Sequence, residues 1–172
     1  MDQIVYNPIG VVYSPFNEPK DVPIQSAAAK GVKGTIQIHQ QYINGLQDLD
    51  GFSHLILIYH FHLAKPYSSL VTPFLDKKQH GLFSTRAPSR PNPIGISVVR
   101  LDKIEKNVLH IQDVDIINQT PLLDIKPYVP AFDQKNPEKI GWLTNNINKL
   151  SSTKDDGRFA TKEKPNRKPT FS

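Results

Sequence analysis

A succession of short β-type runs, broken by proline, glycine and asparagine, constrains this chain more than any other feature. Residues 4–12 form the first run, interrupted by Asn7-Pro8; residues 35–39 follow, with Ile36 and Ile38 on one face; residues 53–62 are the most apolar. Further runs cover residues 94–101, 108–117 and 121–125. The clearest helical segment comes late. Asn136 is placed to cap it, Pro137 to take the first helical position and Glu138 to put an acid in the first turn, and Ile140, Leu143, Ile147 and Leu150 recur at helical spacing. A doubly wound parallel sheet needs strands and helices in regular alternation, and that alternation is missing. The pattern therefore predicts a mainly β, single-domain chain: a small closed or nearly closed barrel with one or two peripheral helices. No internal repeat is evident.

At 172 residues the chain is sized for one core. It contains no cysteine, which excludes disulfides, thiolate nucleophiles and cysteine-ligated metals. The amino terminus lacks a basic segment followed by a long apolar one, and the stretch LILIYHFHLA falls well short of the ~20 residues of a membrane span. A soluble, cytoplasmic protein is expected, with no membrane partner. Charge divides unevenly: residues 151–172 carry six Lys or Arg against three Asp or Glu, whereas residues 1–150 carry fifteen against thirteen. With Phe159 and Phe171 as nearly all its apolar content, segment 151–172 is expected to be a flexible basic tail behind a folded domain at 1–150. Such a tail either contacts nucleic acid or aids solubility.

Two long connections, residues 14–34 and 64–93, hold no strong strand, and loops of that length in a compact domain are commonly functional, so both are candidate site walls. The second ends in STRAPSRPNPIGIS. Pro88, Pro91 and Pro93 fix three φ angles there and remove three amide donors, which holds Arg86 and Arg90 in place. A guanidinium so fixed binds carboxylate or phosphate or stacks on a base; alternatively it caps carbonyls at strand ends. His60 and His62 have ligand-like spacing, but His54 lies about 20 Å away along the same strand at ~3.3 Å per residue, so that strand supplies no third ligand. No metal is expected.

The segments GVVYSPF (10–16), LDGFSHLILIYHFH (49–62), GLFSTRAPSRPNPIGIS (81–97) and TPLLDIKPYVPAFD (120–133) resemble, in that order, the blocks of the TsaA-like (TrmO) family, whose characterised member is tRNA methyltransferase O. The resemblance implies a β-barrel methyltransferase unlike the Rossmann type, working as a homodimer with S-adenosylmethionine. It also implies methylation of N6 of threonylcarbamoyladenosine beside the anticodon of certain tRNAs. The chain has no G-x-G-x-x-G fingerprint, as such a fold would lead one to expect.

Carried over residue by residue, the resemblance makes Pro23, Gln25, Phe61, His62, Arg86, Ile96, Asn118, Gln119, Thr120 and Pro121 candidates for the cofactor site. Arg90, Asn92 and Lys126 become candidates for substrate binding. Two blocks depart from the pattern. The usual Pro-Arg-Gln reads Pro23-Ile24-Gln25, without the arginine, and the usual Asp-Gly-Thr-Pro turn reads Asn118-Gln119-Thr120-Pro121, losing a carboxylate and the conformational freedom of glycine. Asp124, Lys126 and Tyr128 match DIKPY intact. Asp124 and Tyr128 are the candidate bases, with His62 a third; Asp124 has the alternative of an ion pair with Lys126 on the same strand face, and Tyr128 that of packing. A non-catalytic RNA-binding barrel and a methyltransferase with another acceptor remain the competing readings.

Overall fold

The computed structural model describes residues 3–161. Eight strands are present among them: β1 (Gly10–Tyr13), β2 (Lys33–Ile38), β3 (His54–His60), β4 (Leu70–Val71), β5 (His80–Gly81), β6 (Ile94–Glu105), β7 (Val108–Gln112) and β8 (Thr120–Pro127). Six of them close an antiparallel barrel in the order β1-β2-β7-β6-β3-β8, with β8 returning to β1, while β4 and β5 pair outside it. The expected mainly β barrel is therefore what the chain forms. Closure leaves no free edge, which a sheet built from such apolar strands would otherwise expose.

Alternation explains the core. On β3, Leu55, Leu57 and Tyr59 point inward while His54, Ile56, Ile58 and His60 face outward. Val12, Ile36, Ile38, Val99, Leu109, Ile111 and Leu122 join them in one cluster, and Val114 and Ile116 extend it beyond the end of β7. The register between β3 and β8 slips between Ile58 and Tyr59. Gly10 and Gly95 sit where a neighbour comes too close for a side chain.

Strand limits differ from the expectation in two places. The run at 4–12 contributes only its end to β1, and Ile4, Val5 and Tyr6 are exposed, because Asn7-Pro8 breaks it. The run at 108–117 stops as a strand at Gln112; Asp113 takes a positive φ of 67° and accepts a hydrogen bond from Gly31 N at 2.7 Å.

The expected helix over 137–150 is corrected. Residues 141–145 and 147–152 form two 3-10 turns, and the one α-helical turn among the described residues is Pro130–Asp133. Gly141 adopts a φ of 58°, which no α-helix tolerates, and the bend lets the Trp142 indole donate to Ser84 O at 2.8 Å and stack on His80 at 4.6 Å. The expected tail is corrected in part as well. Residues 151–161 pack on the barrel: Asp21 N donates to Asp155 O and Asp155 N to Val22 O, while Lys65 N donates to Phe159 O and Thr161 N to Leu63 O. Phe159 is the apolar anchor that makes this worthwhile, packing on Val71, Leu82 and Ala87. The remainder of the tail, 162–172, lies outside the described residues.

Candidate functional site

Where β3 finishes and β6 and β8 begin, the barrel opens into a cavity of about 780 Å³. Both long connections supply its walls, through Pro19 to Ala27 on one side and Ala64 to Arg90 on the other, and the turns after Gly141 close it with Trp142, Leu143, Ile147 and Leu150. The apolar periodicity of 140–150 is thus used as a strap over a cavity instead of as a helix face. The volume falls in the usual range for a small-ligand site, roughly 300–1,000 Å³, and the lining has the usual character of an apolar surface with a few converging polar groups.

Pro23, Gln25, Phe61, His62, Arg86, Ile96 and Thr120 all line this cavity, and so does Arg90. The fixed arginines divide their work. Arg86 Nη1 donates to Gln25 Oε1 at 2.7 Å, joining the two long loops at the cavity wall. Arg90 Nη1 instead donates to Thr85 O at 3.0 Å, with Ala87 O at 3.4 Å and the Phe83 ring beneath it, so Arg90 closes its own loop in the way a carbonyl cap would. Asn92 is exposed and does not line the cavity.

His62 and Thr120 meet across the mouth at 3.3 Å from Nδ1 to Oγ1. Thr120 spends its one proton on Ile117 O, 2.6 Å away, so it accepts from His62, which assigns the Nδ1–H tautomer and leaves Nε2 with its lone pair. Burial and the neighbouring His60 both lower the His62 pKa, which keeps the ring neutral at physiological pH.

Asn118, Gln119 and Pro121 do not line the cavity, although they position Thr120, which does. Asn118 ties the turn to the first long loop: its Oδ1 accepts from Ser14 N, its Nδ2 donates to Asn17 Oδ1 and its N donates to Phe16 O. Gln119 holds a φ of 63°, the conformation that glycine adopts freely, so the change from the family pattern leaves the turn intact at the cost of local strain. Gln119→Gly is expected to stabilise the protein by about 0.5–1 kcal/mol in thermal unfolding; an unchanged or lower melting temperature would show that the turn carries no such strain.

Asp124, Lys126 and Tyr128 do not line the cavity of their own chain. Asp124 faces outward opposite Ile58, about 13 Å along β8 from Thr120, and pairs with Lys126 at 2.7 Å. Tyr128 is at the other end of the barrel, its N bonded to His54 O and its ring edge-on to His54. Strand polarity causes this: β8 enters at the cavity with Thr120 and each further residue carries the chain ~3.3 Å away. The sequence reading missed Asp115, which does line the cavity. Its signal was an acid placed between Val114 and Ile116, both fully buried. Among the described residues no group of three or more His, Asp or Glu is arranged to hold a metal ion, and no helix is long and apolar enough to cross a membrane.

A closed antiparallel barrel whose mouth, two fixed loops and a strap enclose an apolar cavity with an arginine and a carboxylate defines a small-ligand-binding β-barrel of non-Rossmann type. The family model for the tRNA-methyltransferase O N-terminal domain matches residues 11–134, and the chain belongs to that family. A protein of Pyrococcus abyssi named "Probable S-adenosyl-L-methionine-binding protein" is 58% identical over 156 residues, covering 91% of this chain and 85% of its own. Human tRNA (adenine(37)-N6)-methyltransferase is 31% identical over 144 residues, 80% of this chain and 32% of its own. The crystal structure of TrmO from Pseudomonas aeruginosa superposes with a TM-score of 0.68 at 34% identity, covering 82% of this chain and 63% of that one. The chain therefore spans less than two thirds of the bacterial structure and about a third of the human protein.

Proposed function

We propose that this protein transfers a methyl group from S-adenosylmethionine to the N6 nitrogen of an adenosine beside the anticodon of tRNA, the nucleoside being threonylcarbamoyladenosine. The observation that carries the reading is the Arg86–Gln25 pair on the wall of an apolar cavity in a chain of this family. The cavity fits the cofactor chemically. Phe61, Phe83 and Trp142 offer ring faces for a purine and for a sulfonium, Arg86 offers a guanidinium for a carboxylate, and Asp155 offers negative charge. The cofactor, once bound, supplies an electrophilic methyl group. The work of the chain is then to fix both reactants in line and to take up the proton that the acceptor nitrogen releases.

A cytoplasmic homodimer is part of this reading; the exposed Phe83, Ile94 and Ile96 on the cavity rim support its dimeric part, since they present apolar surface to a second copy. The deciding experiment is mass spectrometry of nucleosides from tRNA carrying threonylcarbamoyladenosine, incubated with the pure protein with and without S-adenosylmethionine. A cofactor-dependent gain of one methyl group on that nucleoside supports the reading. A gain on plain adenosine alone would move the acceptor, and no gain with no cofactor binding would favour an RNA-binding barrel without catalysis.

Arg86→Ala is expected to weaken S-adenosylmethionine binding by about tenfold or more, since a hydrogen bond to a charged group contributes about 1.5–3 kcal/mol. Calorimetry reads this directly. Unchanged affinity with a lower melting temperature would reduce Arg86 to a brace for Gln25.

A further inference from the structure

We propose that Asp115 is the proton acceptor for the nitrogen being methylated, oriented for that task by Ser97 and Tyr59. The proposal rests on the methyl-transfer reading above. It starts from backbone geometry. Asp113 turns the chain out of β7 with its positive φ, and Val114 and Ile116 bury themselves in the barrel, which leaves the residue between them directed at the cavity. Ser97 on β6 donates its hydroxyl to Asp115 Oδ1 at 2.6 Å. Tyr59 OH on β3 lies 3.0 Å from Ser97 Oγ. Because Ser97 has one proton and gives it to the carboxylate, Tyr59 donates to Ser97, and the whole chain of donors points towards Asp115. Both supporting side chains are buried, at 4% exposure each, whereas Asp115 itself is only partly buried.

Among the described residues Asp115 makes no ion pair. Arg86 acts on it through space but gives its Nη1 hydrogen bond to Gln25, so the carboxylate is not neutralised by a direct partner. Burial is the largest influence and holds the Asp115 carboxyl up at about 6; the Ser97 hydroxyl, the backbone amides of Asp115 and Ser26, and Arg86 pull the other way. The result is a base that is ionised at neutral pH yet keeps more proton affinity than an exposed aspartate. The other titratable or charged groups on the cavity wall are Tyr59, His62, Arg90 and Asp155. Burial pushes the Tyr59 phenol up, so it remains a donor. His62 is the rival acceptor through Nε2, its pKa lowered by burial and by His60, and the pH profiles of the variants separate the two groups.

An exocyclic adenine nitrogen needs such a group, because its lone pair is delocalised into the ring and attack leaves an N–H bearing positive charge. In the proposed step the nitrogen lone pair forms the N–C bond as the C–S bond breaks, the sulfur keeps the electrons of that bond, and the N–H proton passes to the Asp115 carboxylate. The protonated carboxyl then loses its proton to solvent through the cavity mouth after product leaves. No oxidant, reductant or further reactant is required.

The test is single-turnover methyl transfer to tRNA from about pH 5 to about pH 8.5, with cofactor and tRNA saturating. The wild-type rate is expected to rise with pH along a single limb set by ionisation of Asp115 in the bound complex. Asp115→Asn is expected to be at least about 100-fold slower and to lose that limb, with cofactor and tRNA affinities within about twofold of wild type. Ser97→Ala is expected to move the limb to higher pH, since removing a donor disfavours the charged carboxylate. A readout on the cofactor-free protein stands beside these: carboxyl signals followed by NMR should show one group titrating near about 6, absent in Asp115→Asn and moved up in Ser97→Ala. Near-normal rates in Asp115→Asn, or a limb that survives there and vanishes in His62→Gln, would overturn the proposal. Should Asp115→Asn fail to fold, an unmoved limb in Ser97→Ala would overturn it equally. A wild-type protein that binds cofactor but methylates no tRNA brings down the functional reading and this proposal together, whereas an active wild type matched by an active Asp115→Asn brings down the proposal alone.

Discussion

Gly95→Ala is expected to destabilise the barrel by about 3 kcal/mol and to suppress methyl transfer well beyond the loss of folded protein. A β-carbon at Gly95 would stand 2.5 Å from Tyr59 Cζ and 2.9 Å from Phe61 Cζ, both ring atoms of side chains on the floor of the cavity. Tyr59 pairs with Gly95 across the β3–β6 ladder and is packed on its other sides, so its ring can give way only towards the cavity. Any displacement large enough to admit the methyl group pulls Tyr59 OH away from Ser97 and removes one link of the chain that ends at Asp115. Denaturant titration measures the first effect, and the rate per folded molecule measures the second. Gly45→Ala is the control, because nothing lies within 4 Å of its added carbon, and it should change stability by no more than about 0.5 kcal/mol. Equal behaviour of the two variants would mean that Gly95 tolerates a side chain and that the Tyr59 position is not tightly set.

The contrast between these glycines shows what the sequence could and could not disclose. Strands were legible because alternation is a local pattern: Leu55, Leu57 and Tyr59 announce an inward face without reference to any partner. The importance of Gly95 was not, because it arises from the ring of a residue thirty-six positions earlier that only strand pairing brings near. The segment 137–150 shows the opposite failure. Its apolar residues recur at helical spacing, yet the conformation is not a helix and Ile140 and Ile147 stay exposed, since Gly141 bends and Trp142 is captured by Ser84 and His80 from a distant loop. Nonlocal anchoring overrode local propensity. The site divided along the same line. Pro23, Gln25, Phe61, His62, Arg86 and Thr120 meet at one cavity, as family blocks suggested, whereas Asp124 and Tyr128 stand elsewhere because matching a block says nothing about distance along a strand. Asp115 went unmarked since a single acid between two apolar residues looks like any strand end until Ser97 and Tyr59 are seen behind it.

Removing residues 151–172 is expected to lower S-adenosylmethionine affinity more than about 100-fold, while removing only 162–172 leaves it unchanged. The two cuts separate a cavity wall from a basic end. Asp155, Phe159 and Ala160 line the cavity, and the backbone of 155–161 bridges the first long loop at Asp21 and Val22 to the second at Leu63 and Lys65. Arg158 adds hydrogen bonds to Thr72 O and Pro73 O, Ser89 Oγ donates to Phe159 O, and Phe159 meets Phe74 edge-on. The longer cut strips all of these at once, uncovers Val22, Val71 and Leu82, and frees both loops that carry Gln25 and Arg86. Pre-organisation of the site is then lost along with its wall, and ordering the loops on binding costs about 1–2 kcal/mol per residue fixed. Calorimetry on the two proteins reads cofactor affinity, and filter binding at several salt concentrations reads tRNA affinity. If the basic residues Lys162, Lys164, Arg167 and Lys168 contact phosphates, the shorter cut weakens tRNA binding and flattens its salt dependence while the cofactor isotherm stays as in the full chain. An unchanged cofactor isotherm after the longer cut would show instead that the barrel, its two loops and the 140–150 strap hold the ligand without residues 151–161.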